Sequence, residues 1–165
     1  TSHLCPLYKN EIDSRNYSID EAYHKLIKKI PNEKIILSAA FYGKAYQIDE
    51  DIENDLVIGK KAHYIQSEYQ SGTCHYFYIK SHYNKEKGFE VFFDSKTKST
   101  YAYNYKTKVF VTYDDPISLK AKIEYIKNKN VGLMFWDYGG DNDSELISVI
   151  IDNIKGEEYD KERKI

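Results

Sequence analysis

An amphipathic stretch followed by an apolar run occurs twice in this chain, and this arrangement constrains the fold more than any other feature. In the first occurrence, residues 18–30 carry apolar side chains at the helical period, namely Ile19, Ala22, Tyr23, Leu26, Ile27 and Ile30. Ser18 and Glu21 form a predicted capping box at the start of this helix. The apolar run at residues 35–42 lacks alternation, which predicts a strand that is covered on both faces and ends at Gly43.

The second occurrence repeats this order and adds a further helix. Asp115 is a predicted N-cap, and Pro116 suits the first helical position. Residues 131–136 form the second buried strand. Asn142 and Glu145 form another predicted capping box, which opens a last helix with the apolar stripe Leu146, Ile147, Ile150, Ile151 and Ile154. Helices that alternate with buried strands predict a parallel α/β architecture.

Residues 45–110 differ from the two flanking units because they are polar, rich in tyrosine and broken by turn residues. Two short stretches within them predict hairpin strands, at residues 89–93 and 101–105. A helix is predicted after Gly72. The chain therefore divides into α/β portions at residues 1–44 and 111–165 and a small α+β insertion between them. Because two core strands cannot close a parallel barrel, the α/β part is incomplete by itself.

The composition excludes several classes of protein. The 24 Lys and Arg residues against 26 Asp and Glu give a formal net charge of −2, so neither nucleic acid nor an anionic membrane is an expected partner. No apolar run approaches the ~20 residues of a membrane span. The 17 tyrosines fit either a compositional bias or an aromatic surface for carbohydrate. The two cysteines, Cys5 and Cys74, allow at most one disulfide and are expected to be free thiols.

Candidate functional residues gather after the second strand. Trp136, the single tryptophan, ends that strand, and its indole either fills the core or forms a platform for a sugar ring. Asp137 and Asp141 follow at the carboxyl end of the strand, where functional residues of parallel α/β folds gather, although turn and cap chemistry is the simpler explanation. The five histidines lack the spacing of a zinc site, and no Gly-rich phosphate loop is present. Neither a metal nor a cofactor is therefore predicted.

Four segments, spread over nearly the whole chain, carry a pattern known from one enzyme family. They are residues 1–8 (Thr-Ser-His-Leu-Cys-Pro-Leu-Tyr), residues 34–44 (Lys-Ile-Ile-Leu-Ser-Ala-Ala-Phe-Tyr-Gly-Lys), residues 111–116 with Ser118 and Lys122, and residues 132–136 with Asp141. In this order, and with an insertion of this size between them, they resemble the chitinase-like glycoside hydrolases of family 18.

The resemblance implies a fold and a set of binding residues. The fold would be the C-terminal portion of a (β/α)8 TIM barrel, with strands seven and eight, their flanking helices and a small α+β insertion after strand seven. Trp136 would be the floor of a sugar subsite, with Met134 beside it and Tyr42 lining the cleft. Lys44 stands where the family has Arg, and Tyr78 stands where it has the Glu that often pairs with that Arg. The Tyr78 hydroxyl is expected to accept a hydrogen bond from Lys44, or its ring to stack against a sugar.

The resemblance also implies what this chain lacks. The family's Asp-x-x-Asp-x-Asp-x-Glu motif, whose Glu is the general acid, does not occur in these 165 residues, so no catalytic residue is expected here. A full-length parent would hydrolyse β-1,4-linked N-acetylglucosamine polymers with retention, using the substrate's acetamide as the nucleophile. The 165-residue chain alone is expected to be inactive.

The expected partners follow from the same resemblance. They are chitin or another glycan that contains N-acetylglucosamine, and the N-terminal half of the barrel. An extracellular, secreted location is implied in the same way. The alternative function is a non-catalytic chitinase-like carbohydrate-binding protein, or an assembly module that docks onto a separate half-barrel.

Overall fold

The computed structural model describes residues 1–13, 17–52 and 56–154; the charged tail at residues 156–165 lies outside them. The helices in the described ranges are α1 (Ile19–Leu26), α2 (Tyr76–His82), α3 (Pro116–Lys129) and α4 (Glu145–Ile154). The strands are β1 (Ile36–Ala40), β2 (Tyr42–Ile48), β3 (Ala62–Tyr64), β4 (Thr73–His75), β5 (Glu90–Asp94), β6 (Ser99–Asn104), β7 (Val109–Tyr113) and β8 (Gly132–Trp136). None of the described helices combines the length and apolarity that a bilayer crossing requires.

Two sheets organise the described strands. In the first, β1 and β8 pair in parallel, with Ala40 opposite Trp136. The second is antiparallel and six-stranded in the order β3-β2-β7-β6-β5, with β4 also paired to β2. The predicted hairpin strands and the predicted helix near Gly72 are present as β5, β6 and α2. The antiparallel sheet is larger than the sequence pattern suggested, because it starts at Tyr42 and ends at Tyr113.

The first predicted strand differs from the structure at its end. Gly43 does not end a strand but lies inside β2, because the chain passes from one sheet to the other at Phe41. A Cβ atom on Gly43 would lie 2.6 Å from Ile79 Cδ1 and 2.7 Å from the Thr112 carbonyl oxygen. The glycine therefore permits β2 to pack closely on α2 and β7.

The prediction that both faces of this strand are covered is also wrong for the described part of the chain. Leu37 and Ala39 are buried, whereas Ser38 is exposed and Ile36 is 65% exposed. The alternation follows the strand period of two. One face of β1 therefore packs on the core, and the other is open.

The helix predicted for residues 18–30 ends four residues early, at Leu26. Ser18 caps it by accepting a hydrogen bond from the Glu21 backbone N–H at 3.1 Å, while Glu21 Oε2 is buried and accepts no hydrogen bond from a described residue. The Lys29 N–H donates to the Leu26 carbonyl, which tightens the chain into a turn. Pro31 disfavours the helical conformation in the residue before it, so the helix does not resume after this turn.

The helix α3 in the second unit follows its local signals closely. Asp115 and Ser118 form a reciprocal capping box, and Pro116 is the first residue of α3. Asn130 closes this helix in the left-handed conformation with φ of 52°. The helix α4 begins at Glu145 rather than after Asn142, so the predicted second capping box is wrong.

A buried ion pair joins the two sheets to α3. Lys122 Nζ lies 2.6 Å from both carboxylate oxygens of Asp114, which follows β7, and both side chains are buried. The Ala40 N–H at the end of β1 donates to Asp114 Oδ2 at 2.9 Å. Burial alone would lower the pKa of Lys122, but the adjacent Asp114 carboxylate outweighs it and the pKa is raised. Lys122 therefore stays charged in the folded protein.

Replacing Lys122 with Met is expected to lower the free energy of unfolding by about 3–5 kcal/mol, because the Asp114 carboxylate is left buried without its partner charge. Urea denaturation followed by circular dichroism measures the change. Lys120→Met, at an exposed position of the same helix, is the matched control and should alter stability by less than ~0.5 kcal/mol. Equal effects of the two substitutions would contradict the assignment.

Candidate functional site

A cleft of about 390 Å³ lies where the end of β8 meets strands β2 and β4. Its lining consists of Tyr42, Tyr69, Ser71, Thr73, His75, Trp136 and Asp137. A larger cavity of about 680 Å³ lies between residues 9–12 and strands β5 and β6, and it shares no lining residue with the cleft. The lining of the larger cavity holds none of the residues that the sequence marks as functional. The smaller cleft is therefore the candidate site.

The backbone places Trp136 beside Tyr42. The Phe41 N–H donates to the Trp136 carbonyl oxygen at 2.7 Å, and the Phe41 carbonyl accepts from the Tyr76 N–H at 3.0 Å. The end of the parallel pair is thereby fixed to the start of the antiparallel sheet. The Trp136 side chain is 66% exposed, so it does not fill the core of the described chain. Met134, two residues earlier on β8, is 50% exposed on the same strand face.

Tyr42 contributes a neutral hydroxyl to the cleft. Partial burial raises the pKa of this phenol, and the nearby Cys5 and Asp114 groups raise it further. The hydroxyl therefore keeps its hydrogen across the physiological range and can both donate and accept.

Lys44 and Tyr78 have different partners in the structure. Lys44 Nζ donates to Thr73 Oγ1 and, at 3.4 Å, to the Ser71 carbonyl, and it lies 5.2 Å from the Tyr64 ring centroid. The Tyr78 ring instead stacks on His82, with centroids 3.8 Å apart. Lys44 therefore holds the segment that forms one wall of the cleft. The Tyr78 side chain contacts His82 of its own helix, α2, and does not pair with Lys44.

Glu68 and His75 are functional candidates that the sequence did not reveal. His75 lies opposite Tyr42 in the β2–β4 pairing, so both side chains share one sheet face. Glu68 accepts from the His75 backbone N–H at 2.7 Å and bonds to Nδ1 at 2.9 Å. The β2–β4 register brings His75 to the cleft, and Glu68 holds it from the segment before β4; no local motif signals either position.

The two aspartates after Trp136 have separate roles. Asp137 lines the cleft, with Oδ2 at 3.8 Å from His75 Nε2. Asp141 is buried, and its Oδ2 accepts from the Ile147 N–H at 2.9 Å near the start of α4. The cap interpretation is therefore correct for Asp141, which takes the role predicted for Asn142.

The described residues form neither a disulfide nor a cluster that could bind a metal ion. Cys5 and Cys74 are both free, as expected. Burial raises the pKa of the Cys74 thiol to about 11. Within residues 1–13, 17–52 and 56–154, no group of three or more His, Cys, Asp and Glu side chains is placed to hold a metal ion.

An exposed indole beside tyrosine, hydroxyl and carboxylate groups thus lies at the carboxyl end of parallel strands, where barrel enzymes of the α/β class have their active sites. Comparison with known families identifies the class of protein. Residues 1–141 match the family described as Glycosyl hydrolases family 18. The chain belongs to this family.

Two curated relatives are named as chitinases. Endochitinase 1 of Metarhizium robertsii is 28% identical over 146 residues, which cover 86% of this chain and 32% of that protein. Chitinase B of Serratia marcescens is 26% identical over 156 residues, which cover 83% of this chain and 31% of that protein. The chain thus spans about a third of the length of these relatives.

Two solved structures share the fold at similar identity. A family 18 N-acetylglucosaminidase from Paenibacillus barengoltzii aligns with a TM-score of 0.78 and 25% identity, over 93% of this chain and 44% of that one. A mutant family 18 chitinase from Cycas revoluta, in complex with (GlcNAc)4, aligns with a TM-score of 0.77 and 25% identity, over 93% of this chain and 42% of that one.

The role of Asp141 is testable through stability. Asp141→Ala removes the carboxylate that accepts from the Ile147 N–H, and it should cost about 1 kcal/mol of stability in urea denaturation. Asp152→Ala, at an exposed position in the same helix, is the control and should be neutral. An Asp141→Ala variant as stable as the control would contradict the capping role.

Proposed function

We propose that this chain is the C-terminal portion of the (β/α)8 barrel of a chitinase-like hydrolase, with β1 and β8 as strands seven and eight. One observation carries this proposal: an exposed Trp136 ends a parallel strand and shares a cleft with Tyr42. The substrate would be a β-1,4-linked N-acetylglucosamine polymer such as chitin. The relatives named as chitinases and the (GlcNAc)4 complex of the Cycas revoluta enzyme support this choice.

In this proposal, the chain supplies binding surface rather than catalytic groups. Trp136 would be the sugar platform, Met134 and Tyr42 would contact the same sugar, and Lys44 and Tyr78 would act further along the insertion. The catalytic acid would come from the N-terminal half of the barrel. The protein would then work outside the cell by substrate-assisted retaining hydrolysis.

The proposed domains are residues 1–44 and 111–165 for the barrel and 45–110 for the insertion. The strands β2 and β7 cross both of these boundaries and hydrogen-bond to each other from Gly43↔Tyr113 to Gln47↔Val109. This pairing supports an insertion whose base is a continuation of the barrel strands. It would fix the insertion rigidly against the cleft.

The open face of β1 and β8 supports the N-terminal half-barrel as a partner. Ile36, Met134 and Trp136 are each at least half exposed on these two adjacent strands. An apolar strip of this kind is expected to be covered, in part, by further barrel strands.

A non-catalytic carbohydrate-binding protein is the second candidate function. The feature that favours it is the pair of altered positions, where Lys44 stands in place of the family's Arg and Tyr78 in place of its Glu. Both candidates predict sugar binding, and they differ only in hydrolysis.

Binding is tested by titrating the chain with (GlcNAc)4 and recording Trp136 fluorescence together with calorimetry. Saturable binding is expected, and Trp136→Ala should weaken it about 30-fold or more, because a stacked aromatic anchor contributes ~2 kcal/mol. Tyr105→Ala, an exposed aromatic position on the turn after β6, is the control and should bind normally. Absence of binding by the unaltered chain would overturn the proposed function.

Hydrolysis is tested with a fluorogenic chitobioside. The chain alone should release no fluorophore, because it lacks the general acid, whereas the chain joined to a family N-terminal half-barrel with the intact motif should do so. Turnover by the isolated 165 residues would contradict the division of roles. A joined protein that binds (GlcNAc)4 without turnover would favour the binding function.

A further inference from the structure

Three neighbouring side chains fix the position of His75 in the cleft. Glu68 holds both its backbone N–H and its Nδ1, at 2.7 and 2.9 Å. The His75 ring stacks on Phe77 with centroids 5.5 Å apart and an interplanar angle of 21°. The Tyr69 ring approaches edge-on at 5.5 Å. The imidazole therefore has one orientation, which is set before any ligand arrives.

This arrangement determines which nitrogen faces the cleft. The Glu68 carboxylate accepts hydrogen bonds at both oxygens, so the hydrogen-bond pattern assigns the ring hydrogen to Nδ1. Nε2 of the neutral imidazole is then an acceptor. It points towards Asp137 Oδ2 at 3.8 Å, which is beyond hydrogen-bonding distance.

Two neighbouring acceptors on the wall of a cleft can both receive hydrogen bonds from a ligand that carries adjacent donors. His75 and Asp137 both line the cleft with Trp136 and Tyr42, and their side chains are 20% and 39% exposed. Asp137 Oδ1 is buried and accepts no hydrogen bond from a described residue, so Oδ2 is the oxygen on the cleft side. A sugar stacked on Trp136 presents O–H and N–H donors at its edge.

We propose that His75 is a ligand-contacting residue that helps to select the sugar: Nε2 and Asp137 Oδ2 accept hydrogen bonds from adjacent O–H or N–H groups of the unit on Trp136. Glu68 is its positioning residue, since it fixes the ring orientation and the Nδ1 hydrogen. The ligand class is a neutral sugar unit with neighbouring donors. This inference rests on the proposed function, because it requires a sugar in the cleft.

Two substitutions separate contact from structure. His75→Asn keeps a donor near the Nδ1 position for Glu68 but removes the acceptor at Nε2. His75→Gln retains a polar group near Nε2. The inference predicts that (GlcNAc)4 binding, measured by calorimetry, weakens about 3- to 10-fold in His75→Asn, as expected for one lost hydrogen bond, and recovers in His75→Gln. His24→Asn, at an exposed His that pairs with Asp20 on α1, is the matched control.

Monodeoxy derivatives of (GlcNAc)4 test the contact directly. Removing the hydroxyl that donates to Nε2 should weaken binding to the unaltered protein but not to His75→Asn, so that the two losses are not additive. Glu68→Ala should reduce the same selectivity, while Glu68→Gln, whose amide oxygen still accepts, should retain it.

The outcomes distinguish this inference from the proposed function. If the unaltered protein binds no (GlcNAc)4, the proposed function fails and the inference fails with it. If the unaltered protein binds and His75→Asn binds equally well with the same preference among deoxy sugars, only the inference is overturned. Thermal unfolding of each variant confirms that the comparison is made between folded proteins.

Discussion

The buried carboxylate of Asp114 is the interaction on which the rest of the structure depends. It lies directly after β7, accepts from the Ala40 N–H at the end of β1, and pairs with Lys122 on α3. One side chain thus links the parallel strand pair, the antiparallel sheet and the longest described helix. Two charges removed from water in this way are tolerated only because each has a close partner. The geometry at the end of β1 follows from this junction.

The cleft is a direct consequence of that junction. Immediately after Ala40, Phe41 bonds to Trp136 on one side and to Tyr76 on the other, and the chain enters the antiparallel sheet as β2. Tyr42 and His75 then face each other across two paired strands. The site therefore combines an aromatic platform from one sheet with polar groups from the other. Family 18 membership is consistent with this arrangement, since the Paenibacillus barengoltzii and Cycas revoluta structures share the fold over 93% of the chain.

Local signals in the sequence predicted the elements that depend on local interactions. The capping box of Asp115 and Ser118 and the terminating Asn130 fix α3 within the helix itself, so this helix was predicted closely. The strand near Gly43 was not, because β2 is defined by its pairing with β3, β4 and β7. The buried Asp141 likewise acts across six residues, where the local pattern pointed to Asn142. Trp136 and Tyr42 are predicted in the cleft through a resemblance, whereas His75 depends on a strand register, and Glu68 on its contact with His75, which no local pattern encodes.

A crystal structure of the protein with (GlcNAc)4 tests most directly whether a sugar occupies the cleft beside Trp136. We expect a pyranose ring stacked on the Trp136 indole, within contact of Tyr42, with its donors directed at His75 Nε2 and Asp137 Oδ2. Sugar bound instead in the larger cavity between residues 9–12 and the β5–β6 hairpin, with the Trp136 indole unoccupied, would contradict it.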